Sequence, residues 1–355
     1  MVNDRKRKSV LPGRNPNSPF SMPSSPFFPS PNAALILVLF AFSGMQAVSL
    51  LWRLLFPFAR DSASGRYAEI LAQQCLLLAL PAALYLLRTR PRATALRMRA
   101  LPMGAWFCLP LAAAASVLAI NMLTVLWALL LDALSLPLVG SGVPTPGSTG
   151  ELWLSLLVIG VTPALCEELL FRGLVLPSLE RMGTHPALLL SGLLFALMHG
   201  QITALPAHLL LGLILGYLLI GYGSLWAPML FHAAYNGITM LFAYAQRDLA
   251  LEQLEQSANG LPALPAAEVI AGVVPALLVA GLAAAALLWL PLRQAARWKN
   301  PPPRFAPSGK RLPAGAKALL AVLIAYFLFA YGTNMYMTAH WAGVSVLTDT
   351  AGPPS

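Results

Sequence analysis

Between residues 162 and 173 the chain reads TPALCEELLFRG, placing Glu167 and Glu168 side by side, with Arg172 one helical turn on, in otherwise lipid-soluble sequence. A charged group at a helix centre costs about 2.5 to 3.5 kcal/mol on insertion scales, so such residues need a compensating role. Two further segments carry groups able to do chemistry: FALMHG, with Phe195 and His199, and FHAAYN, with His232 and Asn236. Carboxylates and imidazoles exchange protons, and imidazole and carboxamide donate hydrogen bonds to developing negative charge. The assortment suits proton transfer coupled to stabilisation of an anion.

Helical spacing divides these residues by role. Glu168 and Arg172, at i and i+4, lie on one face and can form an ion pair, whereas Glu167 lies about 100° round the helix and faces something else. The paired glutamate reads as structural and the free one as reactive. His232 and Asn236, again i and i+4, direct two side chains from one face toward a common point. Phe195 lies one turn before His199 and can pack beside its ring. The competing explanation is a polar network that only fixes helix packing, as intramembrane polar groups often do. It suits a lone His or Asn better than two carboxylates, an Arg, two His and an Asn gathered within about 70 residues, because packing can be fixed at lower desolvation cost. His208 could line the same cavity; His185 and His340 read as bystanders.

The elements that must position these groups are membrane helices. The 355 residues are 58% hydrophobic and 10% charged, with a mean hydropathy of +0.70, which excludes an ordinary soluble domain. Apolar runs of spanning length recur, and coarse spans are expected at 33–52, 69–87, 104–131, 151–171, 186–200, 205–220, 225–244, 266–292 and 317–338. The expected fold is all-α, a polytopic transmembrane helical bundle of about eight or nine spans with a core around residues 150–245. The fifth and sixth runs are short and need tilt, thinning or protein neighbours.

The net charge of +10 does not indicate nucleic acid, because the basic residues sit in short connections beside apolar runs. Positive-inside bias instead assigns RKRK at 5–8, the stretch 88–99 and the stretch 293–317 to the cytoplasm, with 132–150 and 248–265 outside and the N-terminus inside. Residues 1–31, rich in Pro and Ser, read as a disordered cytoplasmic tail in place of a cleaved signal peptide. The further division is 32–149 as N-terminal transmembrane helices, 150–245 as the core that holds the polar residues, 246–265 as an extracytoplasmic linker and 266–355 as C-terminal transmembrane helices. Cys75, Cys108 and Cys166 lie in apolar runs without CxxC spacing and indicate neither a disulfide framework nor structural zinc. No internal repeat is evident, which disfavours a transporter built on symmetric halves.

Together the segments EELLFR at 167–172, FALMH at 195–199 and HAAYN at 232–236 resemble the pattern EExxxR, FxxxH, HxxxN of the CPBP intramembrane proteases, the CAAX-processing endopeptidases and their bacteriocin-related (Abi) relatives. Each motif is weak alone, and the three in order on separate spans are specific. The resemblance covers roughly 150–245. It implies a glutamate-type endopeptidase in which Glu167 with His199 activates water while His232 with Asn236 holds the oxyanion, with Glu168 and Arg172 as the structural pair and Phe195 supporting. It also implies a peptide or membrane-protein substrate within the lipid bilayer, and residence in a bacterial cell membrane. From such a source, peptide precursors or membrane proteins are expected as substrates in place of prenylated CAAX proteins. Zinc held by Glu167, His199 and His232 is the alternative cofactor reading. It lacks the HExxH spacing of zinc proteases and leaves Glu168 and Asn236 without a ligand role, so no cofactor is favoured. A non-enzymatic immunity scaffold or a proton-coupled transporter using the carboxylates as a relay is the competing function.

With the fourth span ending at 171, a rise of 1.5 Å per residue places Glu167 roughly 6 Å, His232 roughly 10 Å and His199 roughly 20 Å from the cytoplasmic face. Their convergence therefore requires tilted or offset helices.

The charge pattern yields a topological test. Cysteines introduced at 88–99 and 293–317 should resist an impermeant thiol reagent applied outside intact cells and react after permeabilisation; ready labelling of both from outside would reverse the orientation.

Overall fold

A computed structural model describes residues 28–57, 62–90, 96–138, 142–248, 266–296 and 311–348. The described residues form helices and no strands. In chain order the helices are α1 (Pro31–Leu55), α2 (Ala63–Thr89), α3 (Met103–Ala133), α4 (Thr149–Met182), α5 (Thr184–Met198), α6 (Leu205–Tyr222), α7 (Trp226–Ala245), α8 (Ala266–Ala296) and α9 (Ala314–Thr348). By length and composition, seven contain a stretch able to cross a membrane. The other two are α5, with 15 residues, and α7, with 20 residues that include His232 and Asn236. The expected tail falls mostly, and the extracytoplasmic linker almost wholly, outside the described residues.

Helix α4 is the axis of the bundle. In its most apolar window 56% of residues are buried, against 6% in α8, so α4 is enclosed by protein where α8 lies at the edge. Around α4 pack α2 and α1 on one side and α5, α6 and α7 on the other. Helix α3 covers α6 and α7, α8 rests on α3 and α6, and α9 rests on α1. Outward faces carry rows of exposed apolar residues, such as Leu76, Leu80, Leu84 and Leu87 of α2, whose spacing marks one face left to lipid.

The expected end of the fourth span at 171 is corrected: α4 continues through Arg172 to Met182. A charge normally marks a membrane boundary, but Arg172 is buried inside the bundle with its two terminal nitrogens hydrogen-bonded, so the helix passes through it. Glu167 is then about 22 Å of helix from the turn at Gly183, and His199 is about 22 Å from that turn along α5. An antiparallel pair of equal arms brings both to one depth, and the estimate of roughly 6 Å for Glu167 falls away.

Among the described residues three stretches are wound more widely than an α-helix, at Gln73–Ala79, Leu156–Val161 and Phe171–Val175. Each ends two residues before a proline: Pro81, Pro163 and Pro177. Proline offers no N–H to the carbonyl four residues earlier and its ring crowds that carbonyl, and a π-type turn relieves the crowding. Pro110 within α3 is not preceded by such a stretch, so proline permits the widening without compelling it.

Close packing of α5 on α6 rests on Gly192 and Gly212. A Cβ at Gly212 would stand 3.1 Å from both the Cα and the carbonyl oxygen of Gly192, backbone atoms unable to swing aside. Gly212→Ala should therefore cost about 1 to 3 kcal/mol through separation of the two helices, whereas Gly272→Ala in α8, where a Cβ meets nothing within 4 Å, should be neutral or slightly stabilising. Reversible unfolding in mixed micelles measures both, and equal stability for the two variants would contradict the packing account.

Candidate active site

Arg172 organises the polar interior. Its side chain is 1% exposed, and a guanidinium keeps its charge in proteins. It donates from Nη1 to Glu168 Oε1 at 3.0 Å and from Nη2 to the carbonyl of Gly212 at 2.8 Å. The guanidinium also lies 4.5 Å from the centre of the Phe195 ring, a cation–π contact strengthened by the lack of water. One side chain of α4 thus engages α5 and α6. The i, i+4 pairing of Glu168 and Arg172 expected from the sequence is present.

Glu168 has a second partner that spacing alone did not indicate. His232 Nδ1 lies 3.0 Å from the same Oε1. An ionised carboxylate only accepts, so the imidazole donates from Nδ1 and turns Nε2 away toward Glu167. His199 is fixed in the same sense: its Nδ1 lies 2.8 Å from its own helix's carbonyl at Phe195, leaving Nε2 directed at Glu167. Phe195 packs between the imidazoles, with ring centres 4.8 Å from His199 and 5.9 Å from His232.

The two Nε2 atoms converge on one oxygen. Glu167 Oε2 is 3.9 Å from His199 Nε2 and 4.0 Å from His232 Nε2. This oxygen is buried and has no hydrogen-bond partner among the described residues. The other carboxylate oxygen, Oε1, accepts a 2.8 Å hydrogen bond from Gln74 Nε2 of α2. Gln74 escaped sequence reasoning because it lies some 90 residues before Glu167, in a run that reads as plain span. A glutamine in that run seven residues before Pro81 was the available signal.

Asn236 is placed differently from the simple picture of two side chains sharing a point with His232. Its Nδ2 donates to the carbonyl of Ile159 at 3.0 Å. That carbonyl is four residues before Pro163 and so lacks the α-helical donor it would otherwise have; Asn236 supplies one from across the helix pair. Gly160 faces Gly237 beside this bond, where a Cβ at Gly160 would make ordinary van der Waals contact at 3.6 Å from the Gly237 Cα. One N–H of the carboxamide remains for other use.

His208 of α6 stacks on His199 at 3.9 Å between ring centres and belongs to the site's wall, as the sequence allowed. His185 does not: it lines a separate groove of about 380 Å³ with Leu188, Leu213 and Tyr217. The side chain of His340 is outside the described set. Of the cysteines, Cys166 is buried beside the carboxylates, and none is in a disulfide. Among the described residues no group of three or more His, Cys, Asp and Glu side chains is gathered as a metal centre.

The bundle interior thus gathers two carboxylates, two oriented imidazoles and a buried arginine. Residues 149–238 match the family model described as Type II CAAX prenyl endopeptidase Rce1-like. The matched family, a family of peptidases, is the one that the three motifs resemble. No curated protein and no solved structure matches the chain. The matched stretch contains α4 to α6 and the part of α7 that carries His232 and Asn236, and it excludes Gln74.

The ion pair has a consequence for stability. Arg172→Met should cost about 3 to 5 kcal/mol by leaving Glu168 in the interior without its guanidinium partner. Adding Glu168→Gln should recover a substantial part of that loss. Unfolding of the single and double variants in mixed micelles tests this, and strictly additive losses would show that the pair does not act as a unit.

Proposed function

We propose that this protein is an intramembrane endopeptidase of the CAAX-processing and bacteriocin-processing type, in which Glu167 activates water for attack on a peptide carbonyl. The observation that carries the reading is Glu167 Oε2, buried without a hydrogen-bond partner among the described residues and faced by two imidazole nitrogens at 3.9 and 4.0 Å. Separations of that size admit one oxygen atom within hydrogen-bond reach, about 2.8 Å, of the carboxylate and of either imidazole.

The proton inventory constrains the chemistry. Water held there gives one proton to Glu167 Oε2 as its oxygen attacks the carbonyl carbon, and the π-electrons of the carbonyl move to its oxygen. Collapse of the tetrahedral intermediate re-forms the carbonyl and breaks the C–N bond, and the departing amine takes the proton that Glu167 received. His199, donating from Nδ1 to the Phe195 carbonyl, presents an acceptor at Nε2 and orients the water. For His232 to donate from Nε2 to the oxyanion it must carry a proton on each nitrogen, with Glu168 accepting at Nδ1 and Glu167 facing Nε2. Asn236 has one N–H beyond its bond to Ile159 to offer the same oxyanion. The N-terminus and the basic loops are cytoplasmic in this reading, and the substrate is a membrane-anchored or membrane-delivered peptide.

A zinc reading has one observation in its favour: both imidazoles have Nδ1 engaged by an oxygen and Nε2 turned inward, as metal-bound histidines do. The donor spacing opposes it. Bonds of about 2.0 to 2.2 Å in a tetrahedron bring donor atoms within about 3.4 Å of one another, against 3.9 and 4.0 Å between Glu167 and the imidazoles. The trio as placed does not fit that ion, and no step is assigned to it.

The test begins with Glu167→Ala as a trap in native membranes, followed by terminal-sequence analysis of the proteins that accumulate and synthesis of a quenched peptide across the cleavage site. Glu167→Gln should remain folded and lose at least about a hundredfold in turnover. His232→Ala should lose about a hundred- to a thousandfold in turnover with little change in binding. Activity should survive thorough chelation. Full activity of Glu167→Gln would refute the mechanism, and one tightly bound zinc per chain, lost in His232→Ala together with activity, would establish the metal reading while leaving the peptidase assignment intact.

A further inference from the structure

We propose that Gln74 of α2 is a positioning residue for the reaction, holding Glu167 so that its Oε2, and not Oε1, meets the water and the imidazoles. The inference rests on the peptidase reading above. Its basis is a single contact: Gln74 Nε2 donates to Glu167 Oε1 at 2.8 Å, between residues 93 apart in the chain.

Three observations give that contact more than a packing role. First, the two oxygens of Glu167 are divided in function. Oε1 is occupied by the carboxamide, and Oε2 has no hydrogen-bond partner among the described residues. A free carboxylate rotates about its terminal torsion and offers either oxygen to a reactant, whereas one anchored at Oε1 presents the other in a fixed direction. Second, Gln74 is 7% exposed and its own Oε1 is likewise without a hydrogen-bond partner among the described residues. A glutamine retained to pin two helices would gain more by bonding at both ends, since an unsatisfied buried carbonyl is costly. The bond to Glu167 is the hydrogen bond that its side chain makes there.

Third, the neighbouring glutamine shows what packing alone looks like on this helix. Gln73 donates to Ser49 Oγ at 2.9 Å and to Glu69 Oε1 at 3.3 Å, tying α2 to α1 and to itself. Both glutamines start the widened stretch Gln73–Ala79, and they engage different neighbours of α2, Gln73 reaching α1 and Gln74 reaching α4. The catalytic carboxylate is therefore set by an element outside the family-matched residues 149–238. Helix α2 completes the site.

Kinetics on the quenched peptide distinguish positioning from packing. Gln74→Met keeps length and bulk but cannot donate; it should lower kcat about ten- to a hundredfold while KM stays within about twofold, a split expected when only transition-state geometry is lost. Gln73→Met, which disturbs packing on the same turn, should retain kcat within about threefold. Should Gln74→Met fold poorly, the more conservative Gln74→Asn, which keeps the donor one methylene short, should show the same split at smaller amplitude. Unfolding midpoints for Gln74→Met, Glu167→Gln and the double variant supply a readout that needs no activity, with non-additive losses expected from a direct bond. Gln74→Met with wild-type kcat, or kcat lowered equally by Gln73→Met, would overturn the inference while Glu167→Gln remained inactive. A wild-type protein that cleaves nothing would remove the reading beneath it.

Discussion

Arg172 brings a permanent positive charge into a bundle that stands in hydrocarbon, and the site is organised around the groups that make that charge tolerable. Neither lipid nor bulk water can compensate it, so compensation must come from protein atoms at fixed positions. Glu168 supplies the opposite charge, the Gly212 carbonyl a second acceptor, and the Phe195 ring a negative face. These partners come from α4, α6 and α5, which are thereby held in register. Because Glu168 Oε1 also accepts from His232, the same charge network reaches α7 and sets which imidazole nitrogen faces Glu167. Orientation of the reactive groups is in this sense a by-product of neutralising one arginine.

The second organising device is proline. Pro81, Pro163 and Pro177 each follow a widened stretch, and each stretch contributes to the polar interior. The first holds Gln74, the second exposes the Ile159 carbonyl to Asn236, and the third contains Arg172 itself. A regular helix satisfies its backbone internally and has little reason to engage polar side chains from its neighbours. Interrupting the ladder creates local demand for hydrogen bonds and bends side chains off the usual 100° progression. Asn236 consequently has a structural task besides any role toward an oxyanion, and its removal would be felt by the backbone of α4.

The helices around this interior differ in what they contribute. Helices α4, α5 and α7 carry the residues of the three motifs, α6 adds the Gly212 carbonyl at Arg172, α2 adds the carboxamide at Glu167, and α8 and α9 pack on the periphery against α3 and α1. Exposed leucines along α2 and α8 face lipid, which accepts apolar surface without the aggregation that such rows would cause in water. A site enclosed in this way excludes bulk water from the carboxylates and strengthens every interaction among them.

Much of this was legible in the amino-acid order. Apolar runs specified membrane helices, because nothing else made of this chain can bury so much hydrocarbon surface and satisfy its backbone in lipid. The i, i+4 spacing specified the Glu168–Arg172 pair, and three short motifs drew attention to Glu167, Phe195, His199, His232 and Asn236. Local spacing could not reveal where α4 ends, since a charge reads as a boundary until its partners on other helices are known. Nor could it reveal that Glu168 serves two partners, that Asn236 repairs a carbonyl left by Pro163, or that Gln74 reaches Glu167 across 93 residues. Those relations are contacts between helices, and tertiary packing decides them: periodicity gives the face a residue occupies on its own helix, and only the crossing of two helices determines what that face meets.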